Sequence, residues 1–479
     1  MKKKLRVLFA SFEAVPFIKT GGLGDVAGSL PAALHSTSCE VRVVLPKLAS
    51  IPAEYTERLE FLGSFTVPLG WRNQYCGLFS LRHNGVVHYF LDNEYYFGRE
   101  KPYGYYDDGE RMAFFSKAVC ECIAHLPDFF PDILHCNDWH TALAPVFLRE
   151  QYREAEGYAA VKSVFTIHNV KFQGKYDPSM LGDVLGLADC EAARTQLIRD
   201  GALNFLAGAL CYADRITTVS PSYAEEICTE EFGEGLHELF LSRRERLSGI
   251  LNGIDTADYD PAHDAALIEN YETPEGKVAN KAALQRELGL DEEPNVPLFA
   301  VISRLTEQKG IDFITELLWR LPEEGVQLAV LGTGEACFEA ALREAERQMP
   351  GRIAARIEFS EPLSRRLYAG ADLLLMPSRF EPCGLSQMIA MRYGTLPVVR
   401  QTGGLRDSVE PYNRYTGGGT GFGFLRADSD DLLDAMRKAK ALYENKTRFD
   451  AVRRQAMAQD FRWKRSAKQY RLLYRELCP

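Results

Sequence analysis

The sequence predicts an α/β protein made of two doubly wound parallel-sheet domains facing each other across a cleft. Three observations carry this reading. At 479 residues the chain is too long for one ordinary hydrophobic core. Short β-branched runs alternate with longer helical patterns, as parallel α/β layers require. Between Asp255 and Pro297 the sequence turns polar, with Pro261, Pro274 and Pro294 among many acids, before a fresh series begins.

In chain order, LRVLFA (Leu5 to Ala10) and VRVVLP (Val41 to Pro46) read as the first two strands. Between them, KTGGLGDVAGSLPAAL (Lys19 to Leu34) is a lysine and glycine turn opening a helix. GLFSLRHNGVVHYFL (Gly77 to Leu91) carries Asn84-Gly85 between alternating segments and reads as a hairpin. The stretch from Glu94 to Arg111 holds six aromatics that follow neither strand nor helix period, which predicts a loop. A helix over Asp108 to Leu126 then leads to strand DILHCND, helix TALAPVFLREQY, and strands KSVFTIHN and RITTVSP. The second series runs PLFAVIS, VQLAVLG, RIEFS, DLLLMPS and TLPVVRQ with helices between, a second Rossmann-like unit. Boundaries fall at residues 1–252 and 253–459, with a hinge near Asn252 to Thr256.

Composition removes several function classes. A net charge of −10 argues against a nucleic-acid or anionic-membrane surface, so an anionic substrate needs a local basic pocket. Eleven cysteines, an odd number without a C-x-x-C pair, suit reduced thiols in the cytoplasm. Arg6 and Glu13 interrupt the apolar stretch at the N-terminus, which favours a strand over a secretion signal. Nothing approaches the ~20 apolar residues of a spanning helix. The dinucleotide pattern is met only loosely by Gly22, Gly24 and Ala27. They start about ten residues after the first strand, and the second strand ends in Leu45 and Pro46 with no acid at its tip.

Ligands of doubly wound sheets bind beyond the carboxyl ends of the strands, so chemistry-bearing residues are expected there. Strand DILHCND delivers Asp138, Trp139 and His140, and KSVFTIHN delivers His168 and Asn169. PLFAVIS leads to Arg304 and Lys309, VQLAVLG to the glycines of GTGE, DLLLMPS to Glu381 and Cys383, and TLPVVRQ to TGGL. Lys19, Arg304 and Lys309 beside glycine pairs are the cations a diphosphate leaving group needs. His135, Asp138 and His140 mix imidazole and carboxylate, but their directions diverge along a strand exit and no fourth ligand is evident, so no metal is expected. Asp138 is left to bind sugar hydroxyls or act as a base. The Glu94 to Arg111 aromatics fit either a sugar face or a structural clamp. Cys383 lacks a neighbouring base and is not a nucleophile.

Taken together, KTGGLGDV, HCNDWHTALAP, SVFTIHNVKFQG, ADRITTVSPSYAEEI, LNGID, ISRLTEQKGID, the long block from MPSRFEPCGLSQ to GGLRDSV, and FRWKRSAKQY resemble the bacterial glycogen synthases and plant starch synthases. The blocks run in family order over nearly the whole chain. The resemblance implies the two-domain glycosyltransferase fold called GT-B, with the final helix, residues 460–479, packing back on the first, acceptor-side domain. The second domain would bind the nucleotide sugar.

It also implies transfer of glucose from ADP-glucose to the non-reducing end of an α-1,4-glucan, with retention, release of ADP, and no metal or other cofactor. Carried over by position, Lys19 and Gly22 face the distal phosphate and sugar, Arg304 and Lys309 the diphosphate, and Glu381 the donor glucose. His168, with Asn169, lies beside that glucose and Asp138 near the reacting hydroxyls. Gly404 and Leu405 add backbone donors, and Gly332 and Gly334 leave room for the nucleoside. Phe359 meets adenine and Tyr103 the acceptor. Gly21, Asp25, His140, Cys383, Gly384, Leu385, Thr402 and Gly403 complete the substrate contacts. Ile389 stands where many retaining relatives carry a second glutamate, and Ser386 replaces a threonine. A UDP-glucose enzyme or a non-catalytic glucan binder are the other readings, and oligomeric state is left open.

Overall fold

A computed structural model describes residues 4–36 and 38–479. It divides into two units, residues 1–253 with 463–479, and residues 254–462. No helix of the described residues is long and apolar enough to cross a membrane. All eleven cysteines are free thiols.

In the first unit, the described residues form a nine-stranded sheet. Leu5–Ala10 pairs in parallel with Cys39–Pro46 on one side and Ile133–Asn137 on the other. The sheet continues in parallel to Val86–Asp92 in one direction, and to Lys162–Ile167, Arg215–Thr218 and Leu247–Gly249 in the other. The strand order therefore reverses at Leu5–Ala10, which opens a crevice at its carboxyl end. The central strands are buried on both faces, which is why they read as continuous Val, Leu and Ile runs. The hairpin at Asn84-Gly85 forms as expected between Arg72–His83 and Val86–Asp92. An antiparallel partner, Glu60–Leu69, extends that edge, and its alternating Phe65, Val67 and Leu69 are buried, a period-two signal that the sequence reading passed over.

The final helix, Trp463–Leu477, packs in this first unit. Its Tyr474 hydroxyl and Thr166 Oγ1 each lie 2.6 Å from a ring nitrogen of His135, so both nitrogens of that imidazole are taken. Arg471 donates to the Ala33 carbonyl at the end of helix Gly22–Leu34, where a cation suits the helix dipole.

The second unit holds six parallel strands among the described residues, in the order Ile353–Arg356, Gln327–Leu331, Leu298–Ile302, Leu373–Met376, Leu396–Arg400, Phe422–Phe424. Its order reverses at Leu298–Ile302. Two expectations shift here. The strand read as RIEFS is Ile353–Arg356, so Phe359 sits in the loop beyond it. The three-residue strand Phe422–Phe424 is too short for a periodicity to show.

Behind this sheet, buried Asp372 accepts from Lys281 Nζ and Arg453 Nη2, both at 2.7 Å, and from the Leu298 amide at 2.9 Å. The carboxylate thus pins two neighbouring strands and is paired with two buried cations. Asp372→Ala strands both cations in a dry site and is expected to cost about 3–5 kcal/mol, read as a lower urea midpoint for this unit.

Candidate functional site

Three adjacent strands of the first unit end beside one another, at Ala10, Asn137 and Ile167, and each exit carries a polar side chain. After Ile133–Asn137 the chain turns sharply: Asp138 adopts φ 60°, ψ 177°, a backbone region that costs a non-glycine residue of order 1–3 kcal/mol. The turn buries the Asp138 carboxylate beneath the amide of His168 at 3.4 Å. Burial pushes its pKa up to about 7, partly offset by the amides of His168 and Asn169.

His168 is pushed down to about 3 by burial and is neutral. Asn137 Nδ2 donates to the Ala10 carbonyl at 3.0 Å, which aims its Oδ1 at His168 Nε2, 3.1 Å away. The proton is therefore on Nε2, and Nδ1 presents a lone pair. Asn169 follows in the exit loop, its Oδ1 accepting from the Lys171 amide.

His140 is likewise neutral, its pKa lowered to about 3 by burial and then by His168. Its ring stacks on Phe12 at 5.4 Å and on Tyr103 at 5.1 Å, and its Nδ1 is buried without a hydrogen-bond partner among the described residues. The Tyr103 hydroxyl donates to Glu13, which also accepts from the Thr20 amide at 2.5 Å and the Thr20 hydroxyl at 2.7 Å. Glu13 thereby joins Tyr103 to Thr20, the residue next to Lys19. Sequence reasoning passed over it, although a buried acid at the carboxyl end of the first strand was legible by the rule applied to the other strands. Asn137, which orients His168, was missed as well.

Gly21 caps helix Gly22–Leu34 with no side-chain bond, and the Gly24 amide turns back to the Gly21 carbonyl at 3.2 Å. Gly24 and Gly28 let the Val15 to Lys19 segment press against the helix, since a Cβ on Gly28 would lie 2.7 Å from the Val15 carbonyl oxygen. Lys19 is ion-paired to Asp25 at 2.7 Å across that first turn.

In the second unit, Arg304 extends from the loop after Leu298–Ile302, steadied by Gln308 at 3.4 Å. Lys309 forms an ion pair with Glu381, which also accepts from Ser378 Oγ at 3.1 Å. Strand Leu298–Ile302 and its neighbour Leu373–Met376 thus end with a cation beside a carboxylate. Cys383 is buried. Gln387 clamps the following turn by donating to the carbonyls of Cys383 and Gly384, and Gly384 turns at φ +70° just before Leu385 caps the helix Ser386–Arg392. Ile389 lies buried in that helix.

Two expectations need correcting. A Cβ on Gly332 or Gly334 would overlap the carbonyl oxygens of Ser303 and Leu305, so both glycines let the Arg304 loop pack closely. The amides of Gly404 and Leu405 donate to Glu381 O at 3.0 Å and Thr402 O at 3.1 Å. They are spent inside the fold, because Gly403–Ser408 begins with Thr402 as its cap, and are not phosphate donors here. A Cβ on Gly404 would overlap Cys383, so this glycine couples the Thr402–Gly403 loop to the Glu381 loop. In the aromatic stretch, Glu94–Phe97 is a short helix whose Tyr96 and Phe97 are fully buried, so two of the six aromatics are core. Tyr103 faces the site, and Phe359 is 88% exposed with its ring available.

No group of three or more His, Cys, Asp or Glu with metal-holding geometry occurs among the described residues.

The family description "Starch synthase catalytic domain" matches residues 6–242, and "Glycosyl transferases group 1" matches residues 280–455. The chain is 47% identical over 475 residues to a glycogen synthase of Geobacillus thermodenitrificans, covering 99% of this chain and 98% of that one. It is 46% identical over 476 residues to a glycogen synthase of Caldicellulosiruptor saccharolyticus, covering 99% and 100%. Among solved structures it resembles the catalytic domain of starch synthase IV from Arabidopsis thaliana bound to ADP and acarbose, at TM-score 0.89 and 33% identity over 99% of each chain. A sucrose-phosphate synthase from Thermosynechococcus elongatus shares the fold at TM-score 0.63 and 17% identity, again over 99% of each chain.

Proposed function

The chain belongs to the glycogen synthase and starch synthase family, and from that premise we propose that it transfers glucose from ADP-glucose to the non-reducing 4-hydroxyl of an α-1,4-glucan, with retention. The observation that carries the reading is the pairing of Lys309 with Glu381, with Arg304 alongside, on the loops that end neighbouring strands of the second unit. An anionic leaving group and a sugar hydroxyl are the ligands that a cation beside a carboxylate serves. The starch synthase that the chain resembles holds ADP and acarbose, a nucleotide and a sugar mimic.

In the proposed reaction the bond from glucose C1 to the β-phosphate oxygen breaks, and its electron pair goes to ADP. Arg304, Lys309 and Lys19 neutralise the charge that develops there. Glu381 holds the donor glucose and, by its pairing, fixes the Lys309 ammonium. The acceptor oxygen bonds to C1 on the face the phosphate leaves, and its proton passes to the departing phosphate oxygen. Neutral His168 offers the Nδ1 lone pair toward positive charge building on the ring. Tyr103, Glu13, His140 and Asp138 take the acceptor's hydroxyls. Phe359 provides a face for adenine.

The cations perform the neutralisation a divalent metal performs elsewhere, so the reaction is proposed to need no metal. A cytoplasmic location is proposed on the eleven free thiols.

Purified protein incubated with ADP-glucose and glycogen is expected to release ADP at a rate unchanged by EDTA, with UDP-glucose much poorer. Abolition by EDTA, or a preference for UDP-glucose, overturns the corresponding assignment. Trapping a glucosyl-protein adduct would refute the single front-face step.

A further inference from the structure

On a chain of net charge −10, the final helix Trp463–Leu477 carries five cations and no acid between Lys464 and Arg475. Four of them, Lys464, Lys468, Arg471 and Arg475, follow at steps of four, three and four residues, so they form a stripe along one face. Arg471 is half-buried and the other three are exposed, and none of the four pairs with a carboxylate among the described residues. Like charges one turn apart repel, and Lys464 and Lys468 stand in the first half of the helix, where the dipole disfavours cations. The stripe therefore opposes folding unless an anion offsets it.

Beside the stripe is a cavity of about 470 Å³, lined by Lys464 and Arg471 and by Ala33, Ser36 and Ser38, where helix Gly22–Leu34 turns into strand Cys39–Pro46. The turn is well tied: the Ser36 amide donates to the Cys39 carbonyl at 2.8 Å, and the Leu5 amide to the Ser38 carbonyl at 3.2 Å. The Ser36 and Ser38 hydroxyls lie 3.3 Å apart. Arg471 donates to the Ala33 carbonyl at 3.0 Å, which fixes its guanidinium at the cavity wall. Burial pushes the adjacent Cys39 thiol up to about 11; Arg471, Lys4 and Arg475 pull against that shift, and Asp132 adds to it. Lys4 and Arg475 thus reinforce the positive field at this turn, where Asp132 is turned to the Arg6 amide at 2.9 Å.

A guanidinium fork, an ammonium and two hydroxyls around one concavity are the groups that bind phosphate oxygens. The volume is that of a small-molecule site. Its lining holds no aromatic ring and only the Ala33 methyl, so what accompanies the phosphate is polar, as a sugar is. The thirteen residues of helix Gly22–Leu34 span about 20 Å, which separates this cavity from the Lys19 loop at the other end.

We propose that Lys464, Arg471, Ser36 and Ser38 form a binding site for a phosphate group, free or carried on a sugar, distinct from the place of glucose transfer.

The test is calorimetric titration of the unaltered protein, Lys464→Glu and Arg471→Lys with inorganic phosphate and with fructose 6-phosphate. Excess ADP is present throughout, so that cations serving the nucleotide are occupied, and sodium chloride of equal ionic strength is the control. The unaltered protein is expected to bind one phosphate ligand per chain. Lys464→Glu should weaken that binding about tenfold or more, and Arg471→Lys, which keeps the charge but loses the fork, should also weaken it. Tighter binding of fructose 6-phosphate supports a sugar-borne phosphate, and equal binding supports free phosphate. Lys464 is exposed, so its variant folds and decides the question even where Arg471→Lys is unstable. Equal affinity in Lys464→Glu and the unaltered protein overturns the proposal. So does heat reproduced by the chloride control, or a protein that sediments with phosphatidylglycerol vesicles but binds neither phosphate ligand.

Discussion

Lys309→Ala is expected to lower turnover at saturating ADP-glucose on the order of 10²-fold or more, the scale on which a lost transition-state donor acts. The ammonium is mostly withdrawn from water and paired with Glu381, so its charge is poorly screened and its position fixed. Two effects must be separated, because removing Lys309 also leaves the buried Glu381 carboxylate unpaired. Arg304 provides the separation. It is exposed and held only weakly by Gln308, so Arg304→Ala should leave the melting temperature unchanged while still costing turnover. Steady-state kcat for both variants, alongside their thermal unfolding, decides the matter. An unaltered kcat in either variant at saturating donor removes that residue from the leaving-group role. A rate loss confined to Lys309→Ala and matched by unfolding makes its effect structural.

Asp138→Asn carries the second large effect. Burial raises the Asp138 pKa to about 7, so the carboxyl is protonated below that pH and ionised above it. The ionised form accepts a hydrogen bond from the glucan hydroxyl, so kcat/KM should climb from about pH 6 to pH 8 and then level off. The asparagine variant should show no such limb and a rate lower by about 10- to 10²-fold, the worth of a hydrogen bond to a charged group. The neighbouring imidazoles supply no competing limb, since His140 and His168 are held near 3 and are neutral throughout this range. A limb near pH 7 that persists in Asp138→Asn assigns the titration elsewhere and refutes the role. The φ of 60° makes a folding check necessary, and asparagine tolerates that region about as well as aspartate.

The two doubly wound series, the Asn84-Gly85 hairpin and the strand-end cations were legible because each depends on local pattern: period, turn chemistry, and polar residues following an apolar run. Glu60–Leu69 was missed although Phe65, Val67 and Leu69 alternate with exposed residues in the period of a half-buried strand. The aromatic stretch misled for another reason. Tyr96 and Phe97 are buried by neighbouring helix residues such as Phe114 and Phe115, contacts that no periodicity within Glu94 to Arg111 encodes.

By itself the sequence determined which residues stand at the carboxyl ends of parallel strands: Asp138, His168, Arg304 and Glu381 are fixed there by chain connectivity, once the strands are known. Only the tertiary structure decided what each of them meets. It brought Glu13 to Tyr103, set Asn137 to orient His168, closed Lys309 on Glu381, and placed Gly332, Gly334 and Gly404 where one loop rests on another. The physical reason is that position along a strand is a local property of the chain. Burial, protonation and hydrogen-bond pairing depend on atoms that folding brings in from far along it.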